Sequence, residues 1–230
     1  MNKIIETNCL HCQKIAGAFR NLEAVELDRV NCNKVSIAYN PGEIIFKQGT
    51  PCHHFVCVTS GLVKLYIEHK GSDNLIVGFT RPVNYIFEPG VFVDTRHHFT
   101  AVACEPVTAC LVDSGIMKEL IRENPTFAGE FISHISVQAI ELFTKISSFT
   151  RKHVYGRIAD VILSLSEDIY QANPFTMTLS RQDIADMAGM TKESAIRVLK
   201  RFKDEGIITL EGNILEILDI EKLKNVSEKG

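Results

Sequence analysis

The sequence predicts an α+β protein in which an antiparallel β-roll, a long helix and a winged helix-turn-helix follow one another. Three observations carry this. Short alternating runs bounded by turn residues fill Val35 to Asp113, apolar residues then recur at heptad spacing, and Leu179 to Lys203 reads as two short helices joined at a glycine. A chain of 230 residues can bury two cores. The expected segments are a helical stretch over 1–33, the roll over 34–124, the long helix over 125–150 and the winged domain over 151–230.

Composition excludes several classes. No apolar run approaches the length of a membrane span, and MNKIIETNCLHCQK lacks the apolar core of a signal peptide. The expected location is therefore the cytoplasm, with no membrane partner. Seven cysteines are an odd number and argue against a disulfide framework. A formal net charge of −3 hides an uneven distribution. Thr191 to Lys203 holds five Lys/Arg against one Glu, a local +4, and a local basic face is the footprint of a nucleic-acid partner.

In chain order, LEAVELDRV is a short amphipathic helix within 1–33. VSIAY, IIFKQG, HHFVCVTSG, LVKLYIEH and KGSDNLIVGF are short strands, with corners at Pro41-Gly42, Gly49, Gly61 and Gly71. Regular spacing of such runs points to a jelly roll, closed by HFTAVACEPVTACLVDS. SGIMKELIREN is a helix that ends before Pro125, which can open the next one. In that next helix Ala128, Ile132, Ile135, Ala139, Leu142, Ile146 and Phe149 are spaced 4, 3, 4, 3, 4, 3. Such a seam predicts a parallel dimer helix. Arg151 to Tyr170 is a further amphipathic helix. Asn173-Pro174 is a turn leading into the short strand FTMTL.

Ser180 lies three residues before Asp183 and opens an apolar-periodic run, the start of a capping box. The first helix should run to about Ala188, with Ile184 and Ala185 inward. Gly189 supplies the turn. Thr191 caps a second helix whose Ala195, Val198 and Phe202 face the first. The outer face carries Lys192, Glu193, Ser194, Arg197, Lys200 and Arg201. A helical hairpin with solvated charges competes with this reading. Small residue, glycine turn, cap and long donors at one spacing favour a groove-reading helix. Arg197 can donate bidentately to guanine and Glu193 can accept from cytosine N4. Lys192, Lys200 and Arg201 are expected at phosphates; Ser180, Arg181, Thr191 and Ser194 complete the expected DNA contacts. GIITLEGNILEIL then forms two short strands around Glu211-Gly212-Asn213, a wing, and DIEKLKNVSE is a terminal helix or tail.

LSRQDIADMAGMTKESAIRVLKRFKDEGII and NPGEIIFKQGTPCHHFVCVTSGLVKLY, in this order, resemble the Crp/Fnr family of bacterial transcription regulators, over nearly the whole chain. The resemblance implies a cyclic-nucleotide-binding-like roll and a homodimer on double-stranded DNA, with base readers at Lys192, Glu193 and Arg197 and a variable fourth position at Ile196. Two such helices would enter successive major grooves roughly 34 Å apart, so the target would be an inverted repeat. RNA polymerase is a further expected partner.

The signal stays open. Family members that bind a cyclic nucleotide carry Gly-Glu and, about ten residues on, Arg-Ser/Thr. Here Glu88 matches the glutamate, but Phe87 replaces the glycine, His98-Phe99 replace the arginine pair and Arg96 is out of register. Cyclic AMP is disfavoured, since a phosphodiester needs an arginine or a nest. Glu88, His98 and Thr100 remain candidate effector contacts. The oxygen-sensing branch holds an iron–sulfur cluster on three N-terminal cysteines and one in the roll. Cys9, Cys12 and Cys110 match three of these; the expected third N-terminal position is Ala18, so Cys32 or His11 would have to substitute. Free thiols, a haem or another small effector remain alternatives, with His53, His54, His97, His98, Cys52, Cys57 and Cys104 in or near the strands. A cupin-type metal enzyme or a non-transcriptional binding protein on the same roll is the alternative from another class. His53 and His54 are adjacent, so on a strand they face opposite ways and cannot chelate together. No catalytic triad, P-loop or dinucleotide motif is present, and no enzymatic activity is expected.

Overall fold

The computed structural model describes residues 3–5, 7–12, 14–15, 17–69, 74–86 and 88–230, with Lys3 described through its backbone alone. Gly71 and Phe87 lie outside the described residues. Residues 1–68 and 78–140 make one unit, and 69–77 with 141–230 make the other.

The first unit contains the roll. One sheet orders its strands β1 (Lys3–Ile5), β2 (Lys34–Tyr39), β9 (Val107–Asp113), β4 (His54–Ser60) and β7 (Asn84–Ile86). The second orders β3 (Ile44–Phe46), β8 (Thr100–Ala103), β5 (Val63–Ile67) and β6 (Leu75–Thr80). Each expected run contains a strand among the described residues; residues 70–73 of KGSDNLIVGF lie outside them. At the corner of β4 and β5, Gly61 has φ +81°, and a Cβ there would meet the Pro106 carbonyl oxygen at 2.4 Å. Glycine is required on both counts.

The amino-terminal stretch is not wholly helical. Lys3–Ile5 joins the roll as an edge strand antiparallel to β2, pairing Ile5 with Ser36. Helix follows at α1 (Ala24–Cys32), as the amphipathic pattern predicts. A short helix α2 (Gly90–Val93) interrupts the roll after β7. Asp113 ends β9 and accepts from the N–H groups of Gly115 and Ile116, capping α3 (Ser114–Glu123). Arg29 ties α1 to α3 through Glu119 and Glu123, at 2.7 and 2.6 Å. Alternate residues of the five-stranded sheet, among them Phe55, Cys57, Cys110 and Val112, share one buried core with Phe19, Met117, Leu120 and Phe127. That face of the sheet is thus covered by helices, while Val58 and Ala109 are buried on the other.

Helix α4 (Pro125–Arg151) is 27 residues long and starts at Pro125. Asn124 accepts from Phe127 N–H at its beginning. The following helix starts later than the amphipathic pattern implies: Lys152 and His153 are non-helical and separate it from α4, and α5 covers Val154–Ser164 before a wider turn over Leu165–Ile169.

The second unit adds β10 (Phe175–Thr176), α6 (Arg181–Ala188), α7 (Lys192–Asp204), β11 (Ile208–Glu211), β12 (Ile214–Ile217) and α8 (Ile220–Lys229). Its sheet runs β10–β12–β11. Asn173 extends this sheet, accepting from Ile217 N–H and donating to its carbonyl. The carboxy-terminal stretch is a docked helix, not a fraying tail, because Leu223 is fully buried.

Candidate nucleic-acid interface

Local chemistry sets both helices of the reading unit. Ser180 Oγ donates to Asp183 Oδ2 at 2.7 Å and accepts from Asp183 N–H, while Asp183 accepts from Ser180 N–H at 2.8 Å. This reciprocal box starts α6. Ile184, Ala185 and Ala188 are fully buried. Gly189 then turns the chain in the left-handed region, φ +58°. Thr191 Oγ1 accepts from Ser194 N–H and starts α7. Ala195, Val198 and Phe202 are buried as expected, together with Leu199.

The opposite face of α7 is exposed and basic. Lys192, Glu193, Ile196, Arg197, Lys200, Arg201 and Lys203 all lie on it. Arg197 keeps a long contact to Ser194 Oγ at 3.4 Å, so its guanidinium fork points along the exposed surface. Arg201 is held differently. Its Nε donates to Glu205 Oε1 at 2.7 Å, its Nη1 donates to the Tyr155 hydroxyl at 2.9 Å, and the guanidinium lies 4.7 Å over the Tyr155 ring. The hydrogen bonds to Glu205 and Tyr155 raise the Arg201 pKa. Arg181 likewise donates to the Gly212 carbonyl at 3.0 Å, joining α6 to the wing turn. The hydroxyls of Ser180 and Thr191 serve as caps. Of the nine residues expected at DNA, Lys192, Glu193, Arg197 and Lys200 therefore present the least encumbered side chains.

The sequence reading missed Arg157 and Tyr155. Both are on α5 and support the reading unit from behind; neither belongs to a local motif that would mark it.

On α4, Ile132 (61%), Leu142 (44%) and Ile146 (57%) of the heptad seam are exposed. Ala128, Ala139 and Phe149 are half-buried, and Ile135 packs on the core of the roll. Two further apolar residues, Ile140 and Phe143, are exposed beside the seam at 62% and 69%.

The three candidate effector contacts do not converge. Glu88 is buried and meets His97 Nδ1 at 3.2 Å, while its other oxygen accepts from the N–H groups of Gly90 and His98. His97 stacks on Phe46, with 4.0 Å between centroids. The His98 ring turns outward to Asp94, and Thr100 is buried, donating to Glu68 Oε1 and accepting from Gln48 N–H. Of the candidate metal residues, Cys9 and Cys12 flank one 3₁₀ turn and Cys110 is buried on β9. Burial pushes the Cys9 thiol up to about 11, with Lys34 opposing and Cys110 and Cys12 adding to the rise. Among the described residues no three His, Cys, Asp or Glu side chains form a ready-made metal shell.

A capped pair of helices with a left-handed glycine turn, a basic outer face and a following two-stranded wing defines a winged helix-turn-helix DNA-binding domain. The family model for the Crp-like helix-turn-helix domain matches residues 156–226, and that for the cyclic nucleotide-binding domain matches 36–124. The chain is 28% identical to electron transport regulator A of Shewanella oneidensis over 186 residues, 79% of this chain and 74% of that protein. It is 24% identical to the anaerobic regulatory protein of Haemophilus influenzae over 233 residues, 96% of this chain and 90% of that one. A Crp/Fnr-family regulator from Eubacterium rectale has the same fold, with a TM-score of 0.76 at 18% identity, over 92% of this chain and 97% of the other. The chain belongs to the Crp/Fnr family of bacterial transcription regulators. It is a DNA-binding regulator with an amino-terminal sensing domain.

Proposed function

We propose that the protein works as a symmetric dimer paired along α4, with two copies of α7 reading an inverted-repeat duplex. The exposed row Ile132, Leu142, Phe143 and Ile146 carries this reading, since a contiguous apolar stripe on a long helix is a surface that association would bury. Arg197 donates to a guanine and Glu193 accepts from a cytosine, while Lys192 and Lys200 hold phosphates. Ile196 is 44% exposed on the same face and suits a thymine methyl group. The roll biases the dimer between DNA-competent and incompetent arrangements.

The relatives are named for anaerobic and electron-transport regulation, which favours a redox or oxygen signal over a cyclic nucleotide. The engagement of Glu88 by His97 and by two backbone N–H groups supports the same preference. Selection from random duplexes tests the reading. An enriched inverted repeat with half-sites about one helical turn apart is expected; enrichment of single half-sites, or of nothing, would refute it.

A further inference from the structure

We propose that the amino-terminal unit binds a small primary amine, as its ammonium ion, in a cavity between α4, β7 and the 3₁₀ turn Gly17–Asn21. The cavity has a volume of about 240 Å³ and is lined by Ala18, Asn84, Tyr85, Glu130, Ser133 and His134 among others. Glu130, Ser133, His134 and Val137 are spaced 3, 1 and 3, so they share one face of α4. Ile132 and Ala139 of the heptad seam fall on the far side of the same helix, so the seam does not run through the cavity.

Tyr85 marks the cavity as a polar site. It is 2% exposed, its ring stacks on Phe131 with centroids 5.6 Å apart, and the His134 ring lies 4.1 Å away. Among the described residues its hydroxyl has no hydrogen-bond partner, an arrangement that is costly for a buried hydroxyl. Burial, and after it Cys57 and Glu130, push the phenol pKa up, so the hydroxyl stays protonated within electrostatic reach of the Glu130 carboxylate. The hydroxyl is itself closed off from solvent. It meets a ligand when the Gly17–Asn21 turn yields, since Ala18 lines the same cavity and Phe19 packs edge-on against the Tyr85 ring at 6.4 Å.

The lining sets the sign and size of the ligand. Among the described residues no lysine or arginine lines the cavity. His134 is held neutral: burial lowers its pKa against a hydrogen bond to the Tyr85 backbone, and its Nε2 lies 2.9 Å from Gln138 Nε2, an amide nitrogen that can only donate. A carboxylate or phosphate would therefore face Glu130 with no cation to offset it. An ammonium brings three donors, and Glu130, Ser133 and Asn84 offer three acceptors. Ala18 and Val137 give a short alkyl chain its apolar wall. At roughly 30 Å³ for a water-sized group, the volume holds about eight such groups. Only the regulatory consequence, a ligand bearing on the helix proposed to pair, rests on the dimer reading above; the site itself does not.

The test uses the full chain with n-butylammonium and 1,4-diaminobutane as probes, and butyrate and n-butyltrimethylammonium as controls, at constant potassium chloride. Calorimetry on the wild type should show saturable binding of at least one amine, one per chain, and neither control should bind. Methyl-labelled protein should show the shifts of Ala18 and Val137 moving with the amine. Glu130→Gln should bind the amine roughly tenfold more weakly or worse, and Tyr85→Phe roughly threefold more weakly, whereas Glu221→Gln on α8 binds as wild type. Tyr85→Phe should melt no lower than wild type without amine, because no protein hydrogen bond is lost. No saturable binding of either amine, equal binding of a control, shifts that leave Ala18 and Val137 unmoved, or wild-type affinity in Glu130→Gln would overturn the proposal. The methyl shifts need no variant, so misfolding cannot imitate failure, and DNA selection and light scattering report on the dimer reading separately.

Discussion

Arg157 donates through one guanidinium nitrogen to the carbonyl oxygens of both Ala188 and Gly189, each at 3.0 Å. A residue of α5 thus satisfies the last carbonyls of α6 at the turn that aims α7. Unsatisfied helix-end carbonyls are costly, and hydrogen bonds to a charged donor contribute about 1.5–3 kcal/mol. Arg157→Ala should lower the stability of the carboxy-terminal domain by about that amount and weaken DNA binding with it. Urea unfolding checks the first part; an unchanged midpoint would show that the turn stands without it.

Gly189 should tolerate asparagine better than valine. Its φ of +58° is the determining feature, because a Cβ would make only an ordinary 3.4 Å contact with Phe149. Left-handed backbone costs an L-residue about 1–2 kcal/mol, less for Asn, whose side chain bonds locally. Thermal melts of Gly189→Asn and Gly189→Val should differ in that order.

Replacing a seam residue by a charge should separate the dimer. Leu142→Glu and Phe143→Glu each place a carboxylate in the row proposed to pair. Light scattering should give the mass of a monomer for both, with helical content unchanged. A dimeric mass in both variants would remove α4 as the interface.

Lys145 predicts a pH dependence. Burial pushes its ammonium down to about 8, and it donates to the Ile76 carbonyl beside the Phe149 ring. The unfolded chain keeps this proton to higher pH than the folded one, so stability contributed by this group rises as pH climbs through and above 8. At neutral pH the buried charge is a penalty. Lys145→Met should therefore flatten the rise in melting temperature between pH 7 and pH 10; an identical slope in both proteins would assign the dependence elsewhere.

Arg197 and Lys200 should separate specificity from affinity. Arg197→Ala should cost about 1–3 kcal/mol and relax preference at one base pair per half-site, whereas Lys200→Ala should weaken all duplexes alike and reduce the salt dependence. Binding isotherms on matched and singly mismatched duplexes over a range of salt distinguish the two.

The reading unit was legible because its signals are local. Ser180, Gly189 and Thr191 each state a backbone requirement within four residues of the atoms they bond. What escaped was set by distant partners. Lys3–Ile5 is too short to declare itself as a strand and takes that form only beside β2. Arg201 looks like any exposed cation until Tyr155, far back in the chain, is seen beneath it. The heptad pattern falls on one long helix, α4, but does not foretell how its faces are used: Ile135 packs on the core of the roll, while Phe143, outside the seam, is more exposed than any seam residue.

The central claim is that two copies of α7 read one duplex in a fixed geometry. The most direct test inserts five base pairs between the half-sites of the selected repeat. That insertion turns the second half-site by about half a helical turn, onto the opposite face of the DNA. Fluorescence anisotropy should then show affinity falling to that of a single half-site. Undiminished binding to the lengthened duplex would contradict a rigid symmetric dimer and leave each winged domain to act alone.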